Sequence, residues 1–365
     1  MSLDGYMCEL QVFLKKTQFG DCRVVVMPDF FLDRLVDLQE SFGEFADSTG
    51  MVVGRRGGSV DGVLQMDQRG GNALNVAFAL SRLGVSVTPI ICTSQYGLEL
   101  IKYYFKNTAI DLSHVKVLGR ASITTALEFS AQGEKINVML RDVGALADFG
   151  PSALDMRDYA LIAKGDYVCL FNWAGTKKFG TALAQAVFGH TKQSGGKTYY
   201  DTADPRPNSA NIAELVERVL RSSQVDILSL NENEAITYAG FLDADFKIKH
   251  QSRQQSTPDY ALEAARILAR YCLARIDLHT SAFSASLRGS REVVVVPAFR
   301  VEVLRATGAG DAWNAGNLWA DFNGLSDGGR LMLANAVSAC YLTNPEGTHP
   351  TKEQIVDFLK TASYR

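Results

Sequence analysis

The segment Ala306–Asp311 (ATGAGD) has the residue types of an anion-binding loop. Small residues let backbone N–H groups converge where a helix begins, and these donors together with the helix dipole favour an anion such as a phosphate. The carboxylate of Asp311 would fall in the first helical turn, as a helix cap or as a base beside the bound anion. A cap accounts for Asp311 alone, whereas a site for a reacting phosphate also accounts for the three small residues before it.

A second candidate site segment is Arg69–Ala77 (RGGNALNVA), which runs into an alanine-rich helix. Gly70 and Gly71 allow a ligand to approach the backbone closely, and the amide of Asn75 can bind hydroxyl groups. The structural alternative is a loop with an asparagine helix cap. A dinucleotide-binding fingerprint is excluded, because the spacing is not G-x-G-x-x-G and no acidic ribose ligand follows about 20 residues later.

The composition is that of an ordinary globular protein. Of 365 residues, 47% are hydrophobic and 21% are charged, which excludes intrinsic disorder. The formal net charge of −3 gives no electrostatic case for nucleic acid or an anionic membrane as the main partner. The six cysteines are scattered without a C-x-x-C pair, which predicts neither a disulfide framework nor a zinc site. No signal peptide and no apolar run of about 18 residues is recognised, so a cytoplasmic location is expected.

Short apolar strands alternate with helical segments along most of the chain, which predicts a single α/β domain over residues 1–365. Its sheet would be doubly wound and mostly parallel, with helices on both faces. The predicted strands are Arg23–Met27, Val85–Cys92, Val168–Phe171, Thr198–Tyr200, Ile227–Leu230 and Ile276–Leu278. The predicted helices include Leu74–Leu83, Gly97–Asn107, Ala312–Phe322, Gly328–Tyr341 and Lys352–Ala362.

Two polar β-rich stretches interrupt this alternation and predict a small β lid over the strand ends. They cover about residues 42–68, as small exposed strands, and 120–141, as a hairpin turning at Gln132–Gly133. A late hairpin is predicted from Val293–Val296 and Val301–Leu304. Residues 1–20 have no clear period, and residues 243–257 are predicted to be a loop before a helix capped by Ser256 or Thr257.

The ordered set of segments resembles the ribokinase-like (PfkB) family of carbohydrate kinases. The two segments above are similar to its GGN-x-x-N-x-A and D-T-T-G-A-G-D motifs. Asn231–Glu234 is similar to its N-x-x-E motif, Asp29–Asp33 to a G-D-x-x-L-D motif, and Asp204–Arg206 to a D-x-x-x-R region. The resemblance covers about residues 22–362.

This resemblance implies transfer of the γ-phosphoryl group of ATP to a sugar hydroxyl. Asp311 would be the base, and the backbone N–H groups of Gly308, Ala309 and Gly310 would stabilise the phosphoryl charge. Asn231 and Glu234 would organise Mg²⁺ through water, although both could simply cap a helix. The implied sugar-binding residues are Asp33, Gly70, Gly71, Asn75 and Arg206. Trp173 could also line the pocket, because it follows the predicted strand Val168–Phe171 at the end where open α/β sheets bind ligands. The implied nucleotide-binding residues are Asn231, Ser281, Ser284, Thr307 and Asn335.

Two of these assignments compete with structural roles, since Asp33 could be a solvated helix residue and Trp173 a packing residue. The family also suggests a homodimer that forms through the lid.

Three segments depart from the family pattern. Arg305 and Ala306 replace the first Asp and Thr of D-T-T-G-A-G-D, which in many relatives help to hold a monovalent cation. Ser281–Ser284 replaces a G-x-x-G, and Ile91–Gly97 lacks the acid of V-G-x-D-x-x-G. The guanidinium of Arg305 could supply the positive potential of the missing cation, held by an acidic partner, or it could simply point to solvent at the end of a strand. A nucleoside kinase, or a catalytically weak ligand-sensing relative, are the alternative functions.

Overall fold

The computed structural model describes residues 2–16, 21–131, 134–251 and 258–365. Its strands, in chain order within these ranges, are β1 (Arg23–Met27), β2 (Phe31–Asp37), β3 (Leu64–Gly70), β4 (Ser86–Pro89), β5 (Cys92–Thr93), β6 (Lys116–Val117), β7 (Ser122–Ala131), β8 (Glu134–Asp142), β9 (Tyr167–Phe171), β10 (Lys197–Asp201), β11 (Ile227–Asn231), β12 (Arg275–His279), β13 (Phe283–Leu287) and β14 (Val294–Pro297).

The α-helices of the same ranges alternate with these strands. They are α1 (Leu3–Leu14), α2 (Phe42–Gly54), α3 (Asn72–Arg82), α4 (Gln95–Phe105), α5 (Met156–Lys164), α6 (Gly180–Gln193), α7 (Ile212–Leu215), α8 (Glu232–Leu242), α9 (Ala244–Gln251), α10 (Pro258–Tyr271), α11 (Ala309–Phe322), α12 (Asp327–Leu342) and α13 (Lys352–Leu359). Within the described residues, no helix combines the length and the apolar character that crossing a bilayer requires.

The main sheet confirms the predicted α/β fold class. Its described strands follow the order β14-β13-β12-β11-β10-β9-β1-β4, and all pairs from β4 to β12 are parallel. Strands β13 and β14 add an antiparallel edge. All five residues of β9 are buried, as expected for a parallel strand covered by helices on both faces.

A second sheet has the strand order β3-β2-β7-β8, and we call it the lid after the lid that the sequence predicts. The hairpin predicted within 120–141 is confirmed as β7 and β8, although its turn at Gln132–Gly133 lies outside the described residues. The lid also contains β2, which the sequence prediction left out, so Asp33 lies in a strand and not in a solvated helix.

The prediction of small strands near Met51–Val53 was wrong, because residues 42–54 form helix α2. This helix begins with a capping box between Ser41 and Glu44, a signal for a helix start that outweighs the short alternating pattern. Phe42 and Phe45 of α2 pack edge-on against Phe129, on the outer face of the lid sheet.

Three further predictions differ from the structure. The late hairpin pairs β14 with β13, and residues 301–304 form no strand, because the buried β13 offers the hydrogen-bonding edge. The N-terminal segment contains helix α1, capped by Ser2, and the predicted loop at 243–257 contains helix α9. The proposed caps Ser256 and Thr257 lie outside the described residues.

Helix α11 is fixed to the sheet by buried polar side chains along one face. Asn314 donates from Nδ2 to Asp201 Oδ2 at 2.7 Å and accepts from the Tyr199 hydroxyl at 2.7 Å. One turn later, Asn317 Nδ2 donates to Asp277 Oδ2 at 3.0 Å. Because buried hydrogen bonds require defined geometry, these contacts set the position of the first turn of α11 relative to the strand ends.

Candidate active site

The loop before α11 has the geometry expected of an anion site. Gly308 is the N-cap residue of α11 with φ +92°, and a Cβ atom there would stand 2.5 Å from the Tyr341 hydroxyl, so only glycine fits. The Ala309 N–H donates to the Ala306 carbonyl at 3.2 Å and is therefore partly used. The N–H groups of Gly308 and Gly310 donate to no group in the described part of the chain, which leaves them available to a ligand.

Asp311 lies in the first turn of α11, where two asparagines hold its carboxylate. Asn72 Nδ2 donates to Oδ1 and Asn75 Nδ2 donates to Oδ2, both at 2.9 Å. The side chain is buried, and no described cationic side chain forms an ion pair with it. Burial, which outweighs the hydrogen bond from Asn75, raises the pKa of Asp311 well above the usual aspartate value.

Asp29 is a structural acid that the sequence analysis did not assign. It is fully buried, accepts the N–H groups of Asn72 and Ala73 at 3.1 and 2.9 Å, and accepts from Asn172 Nδ2 at 2.8 Å. It therefore caps α3 from 43 residues away, and fixes the helix that carries Asn72 and Asn75. The motif match placed Asp29 in the right region, but a cap supplied by a distant segment leaves no local spacing signal.

A cavity of about 630 Å³ separates the inner face of the lid from Asp311. The residues that border it include Asp33, Gly71, Asn72, Asn75, Asn172, Thr307, Gly308 and Asp311. Asp33 is hydrogen-bonded to Thr124, and burial is the main reason that the pKa of Asp33 is raised. Asp33 and Asp311 thus face one chamber from opposite sides, from the lid and from the main sheet. We call this chamber the acceptor cavity.

A row of polar residues crosses the inner face of the lid. The strand registers place Arg141 opposite Thr124, Thr124 opposite Asp33, and Asp33 opposite Gln68. All four border the acceptor cavity. Gln68 in turn accepts a hydrogen bond from Arg305 Nη2, so the row connects the lid to the residue that precedes the anion loop.

Arg305 has neutral partners instead of the acidic partner that the sequence analysis expected. In addition to Gln68, its Nε donates to the Tyr341 hydroxyl at 3.1 Å, and that hydroxyl donates to the Thr307 carbonyl at 2.7 Å. The guanidinium packs against Gly347, where a Cβ atom would stand 2.6 Å from Nε. No salt bridge to Arg305 occurs among the described residues, so its positive charge is fixed beside the anion loop without neutralisation.

A second cavity of about 440 Å³ reaches the anion loop from the other side, and Ala306 borders both. We call it the nucleotide-side cavity. It is bordered by Asn231, Ser281, Ala309, Gly310 and Asn335, all of them predicted site residues. His279 also borders it and stacks on Trp313 with ring centroids 4.8 Å apart.

Two predicted substrate-binding residues, Trp173 and Arg206, do not border the acceptor cavity. Trp173 is buried in the core with 2% exposure and donates to Thr181 Oγ1 at 3.2 Å, so the packing alternative holds for it. The sequence prediction chose the wrong residue of the pair, because the adjacent Asn172 borders the acceptor cavity and Trp173 does not. Arg206 borders a separate surface cavity and is held by Asp204, with Nη2–Oδ2 at 2.6 Å.

Two predicted nucleotide-binding residues also differ from expectation. Ser284 lies in β13 below the nucleotide-side cavity, where it donates to Asn335 Oδ1 at 2.5 Å. Burial in a strand therefore removes it from ligand contact. Thr307 borders the acceptor cavity and not the nucleotide-side cavity. Gly70 does not border either cavity, but it supports Asp33 from below.

The acids near the anion loop include candidates for binding a metal ion. Asn231 and Glu234 form a capping box on α8, in which Asn231 N and Nδ2 donate to the Glu234 carboxylate at 2.9 and 2.7 Å. Burial and repulsion from Asp201 raise the pKa of Glu234. Glu234, Asp201 and Asp311 form no ion pair with a described cation, so a divalent ion would relieve their repulsion.

Direct metal ligation is a poorer fit than binding through water. Among the described residues, no group of three acidic, histidine or cysteine side chains is close enough to hold a metal ion. Both oxygens of Glu234 are also engaged by Asn231. The oxygen-rich, negatively charged surroundings therefore suit a hydrated Mg²⁺, which keeps much of its water shell when bound.

The model of the pfkB family carbohydrate kinases matches residues 41–354. No curated protein sequence gives a significant match. Among solved structures, Arabidopsis thaliana ribokinase complexed with ribose and ATP superposes with a TM-score of 0.70 at 17% identity, over 93% of this chain and 99% of that chain. Adenosine kinase from Sinorhizobium meliloti gives 0.68 at 18% identity with the same coverage, and the nucleoside kinase of Methanocaldococcus jannaschii gives 0.65 at 15%. At these identities the structural likeness establishes the shared fold.

Proposed function

Because the chain belongs to the pfkB family of carbohydrate kinases, we propose that it transfers the γ-phosphoryl group of ATP to a hydroxyl of a sugar or sugar-like acceptor. One observation carries this proposal. The Asp311 carboxylate, oriented by Asn72 and Asn75, borders the acceptor cavity beside the anion loop, where Ala306 borders both cavities. A base at this junction can contact an acceptor hydroxyl while a phosphoryl group enters from the other side.

The residues divide the reaction into binding, proton transfer and charge stabilisation. Asp33 and Gly71 would bind acceptor hydroxyls, and Asp311 would take the proton from the attacking hydroxyl. A bond forms between that oxygen and the γ-phosphorus while the β,γ-bridging bond breaks, and the electron pair leaves with ADP. The Gly308 and Gly310 N–H groups would stabilise the equatorial phosphoryl oxygens.

Asn75 would have a second role besides acceptor binding, since its amide orients Asp311. Asn231, Ser281 and Asn335 would contact the nucleotide from their cavity. Asn231 and Glu234 would hold hydrated Mg²⁺, which supplies charge neutralisation to the nucleotide phosphates when it is bound. Arg305 would add fixed positive potential beside the anion loop.

The test is a panel of sugars and nucleosides incubated with ATP and Mg²⁺, in which the phosphorylated acceptor is identified by mass spectrometry and ADP is measured in parallel. We expect acceptor-dependent ADP release that matches the product formed, and its loss in Asp311→Asn. A nucleoside as the preferred acceptor would select the nucleoside kinase alternative. Ligand-dependent thermal stabilisation with no product from any acceptor would contradict the proposal and indicate a sensing relative.

A homodimer through the lid is the second part of the proposal. On the outer face of β8, Ile136, Val138 and Leu140 are 51%, 44% and 57% exposed, an apolar edge that a second copy could cover. Light scattering should give the mass of two chains for the native protein. Val138→Lys, which places a charge in that edge, should give one chain with unchanged circular dichroism; a monomeric native protein would contradict this part.

A further inference from the structure

An arginine that the sequence analysis did not assign faces the acceptor cavity with its donors unused. Arg141 of β8 borders the cavity at the outer end of the polar row. Its guanidinium lies over the Phe31 ring, 5.2 Å from the centroid, and Phe31 is itself buried. Within the described residues, Arg141 forms no hydrogen bond and no salt bridge. Arg141 is exposed, an aromatic ring supports its guanidinium, and its five N–H donors remain available.

The carboxylates within electrostatic reach of Arg141 are already occupied. Asp29 is bound by Asn172 and by the start of α3, Asp33 by Thr124, and Asp204 by the Arg206 guanidinium. Arg141 lowers the pKa of each of these acids by electrostatic attraction, without a hydrogen bond. Arg141 therefore has no dedicated protein partner in the described part of the chain.

Lys177 is a second cation, and Arg141 lies within its electrostatic reach. Lys177 donates to the Pro207 carbonyl at 2.7 Å and forms no ion pair among the described residues. Burial and then repulsion from Arg141 lower the pKa of Lys177. Two cations that repel each other and that each lack an acidic partner among the described residues favour a nearby anion.

The position of Arg141 relative to Asp311 indicates which part of the acceptor it contacts. Arg141 is two strands from Asp33, so their Cα atoms are roughly 10 Å apart at the usual strand spacing. Arg305 and the anion loop lie beyond Gln68, at the opposite end of the row. Arg141 is thus placed to contact the part of the acceptor remote from the hydroxyl at Asp311.

We propose that the acceptor carries an anionic group, a phosphate monoester or a carboxylate, which Arg141 binds at the outer end of the polar row. A guanidinium suits both groups, because its planar fork donates two parallel hydrogen bonds to paired oxygens. The proposal rests on the proposed kinase function and narrows its substrate class from sugars to sugar phosphates or sugar acids.

The test compares acceptors that differ only in the anionic group, by calorimetry without nucleotide and by turnover with ATP. D-ribose 5-phosphate against D-ribose is one member of the phosphate arm, and D-gluconate against D-glucose one member of the carboxylate arm; each arm contains several such pairs. We expect the anionic member of at least one arm to bind at least about tenfold more tightly, the factor typical of a charge-assisted contact.

Arg141→Gln should remove that preference by raising KM about 10- to 100-fold for the anionic acceptor, while kcat/KM for the neutral one changes less than about threefold. Arg120→Gln is the matched control, because Arg120 precedes the same lid hairpin, is 76% exposed and is paired with Asp142. It should leave both acceptors unaffected.

Two results would overturn the proposal. One is the absence of any anionic preference across both arms. The other is an equal loss for anionic and neutral acceptors in Arg141→Gln, which would show that Arg141 only supports Asp33. Failure of the kinase function itself is distinguishable, because binding of the anionic member and its dependence on Arg141 are read without ATP turnover.

Discussion

The Asp33 carboxylate rests directly on the backbone of Gly70, so closely that a Cβ atom on Gly70 would stand 2.0 Å from Asp33 Oδ2. Asp33 and Gly70 belong to adjacent strands of the lid, and the space above Gly70 is occupied by the side chain proposed to bind the acceptor. Gly70 therefore makes room for the Asp33 carboxylate and is not needed for a turn.

Gly70→Ala should displace Asp33 and weaken acceptor binding to the same degree as Asp33→Ala. The expected cost is about 1–3 kcal/mol, because acceptor hydroxyls lose a charged partner. It should appear as a higher KM for the acceptor, with ATP affinity unchanged in both variants. Gly54→Ala is the control, since a Cβ there meets no atom within 4 Å. An unchanged acceptor KM in Gly70→Ala would remove Asp33 from acceptor binding.

Replacing the proposed base should stop chemistry without disturbing nucleotide binding. Asp311→Asn preserves size but cannot accept a proton, so kcat should fall at least about 10²-fold, the lower end for loss of a general base. Rapid-quench kinetics and calorimetry with an ATP analogue separate the two effects. Asp47→Asn, on the exposed surface of α2, is the matched control. Near-normal turnover in Asp311→Asn would exclude Asp311 as the base.

The raised pKa of Asp311 predicts the direction of the pH dependence. Burial, assisted by repulsion from Asp201 and Asp29, favours the protonated acid, whereas the reaction needs the carboxylate. Activity should therefore rise with pH, and the ascending limb of kcat/KM should lie well above the ordinary aspartate value of about 3.9. Because Asp311 interacts with Asp201 and Asp29, the apparent pKa of this limb describes the three acids together and not Asp311 alone.

A pH profile measured with saturating Mg²⁺ and constant ionic strength checks this prediction. A profile that stays level down to the ordinary aspartate range would show that the site does not raise the pKa of its base. The residual activity of Asp311→Asn should lack the limb, because the titrating base is absent.

The fixed charge of Arg305 predicts indifference to monovalent cations. Turnover should be the same in K⁺ and in a bulky organic cation at matched ionic strength, because the guanidinium supplies the positive potential. Arg305→Ala should lower kcat, and Arg305→Lys should recover only part of it, since an ammonium cannot reach both Gln68 and Tyr341. Strong activation of the native protein by K⁺ would refute this role.

The core position of Trp173 predicts an effect on stability and not on catalysis. Trp173→Phe should leave the acceptor KM unchanged while lowering the free energy of unfolding by about 1–3 kcal/mol, from lost packing and an unpaired Thr181 hydroxyl. Denaturant titration and steady-state kinetics on the same preparation distinguish the two. A selective rise in acceptor KM would contradict the packing role and show that Trp173 contributes to acceptor binding.

Sequence reasoning located the parts of the site that are local in the chain. The anion loop and Asp311 lie within a single short segment, so their spacing alone indicates a helix start with a carboxylate. Arg141, Gln68 and Asp29 could not be found this way. The polar row depends on the register of the lid strands, and the cap by Asp29 depends on a contact across 43 residues, neither of which any short pattern encodes.

The same distinction holds for the fold. The parallel strands were recognisable as short apolar runs because both faces of the main sheet are covered. Strand β2 was missed because Phe31–Asp37 alternates between a cavity face and a packed face and carries three charges. Helix α2 was missed because its buried contacts are few and its apolar residues, such as Met51 and Val53, point to solvent.

The alternation of side chains in the lid has a consequence for how such an enzyme can change during evolution. One face of β2 and β7 carries Asp33 and Thr124 toward the acceptor, while the other face packs Val36, Leu127 and Phe129 together. A substitution on the cavity face therefore alters what is recognised without touching that packing or Asp311. New acceptor preferences can arise by single replacements on this face, while the phosphoryl-transfer apparatus is inherited intact.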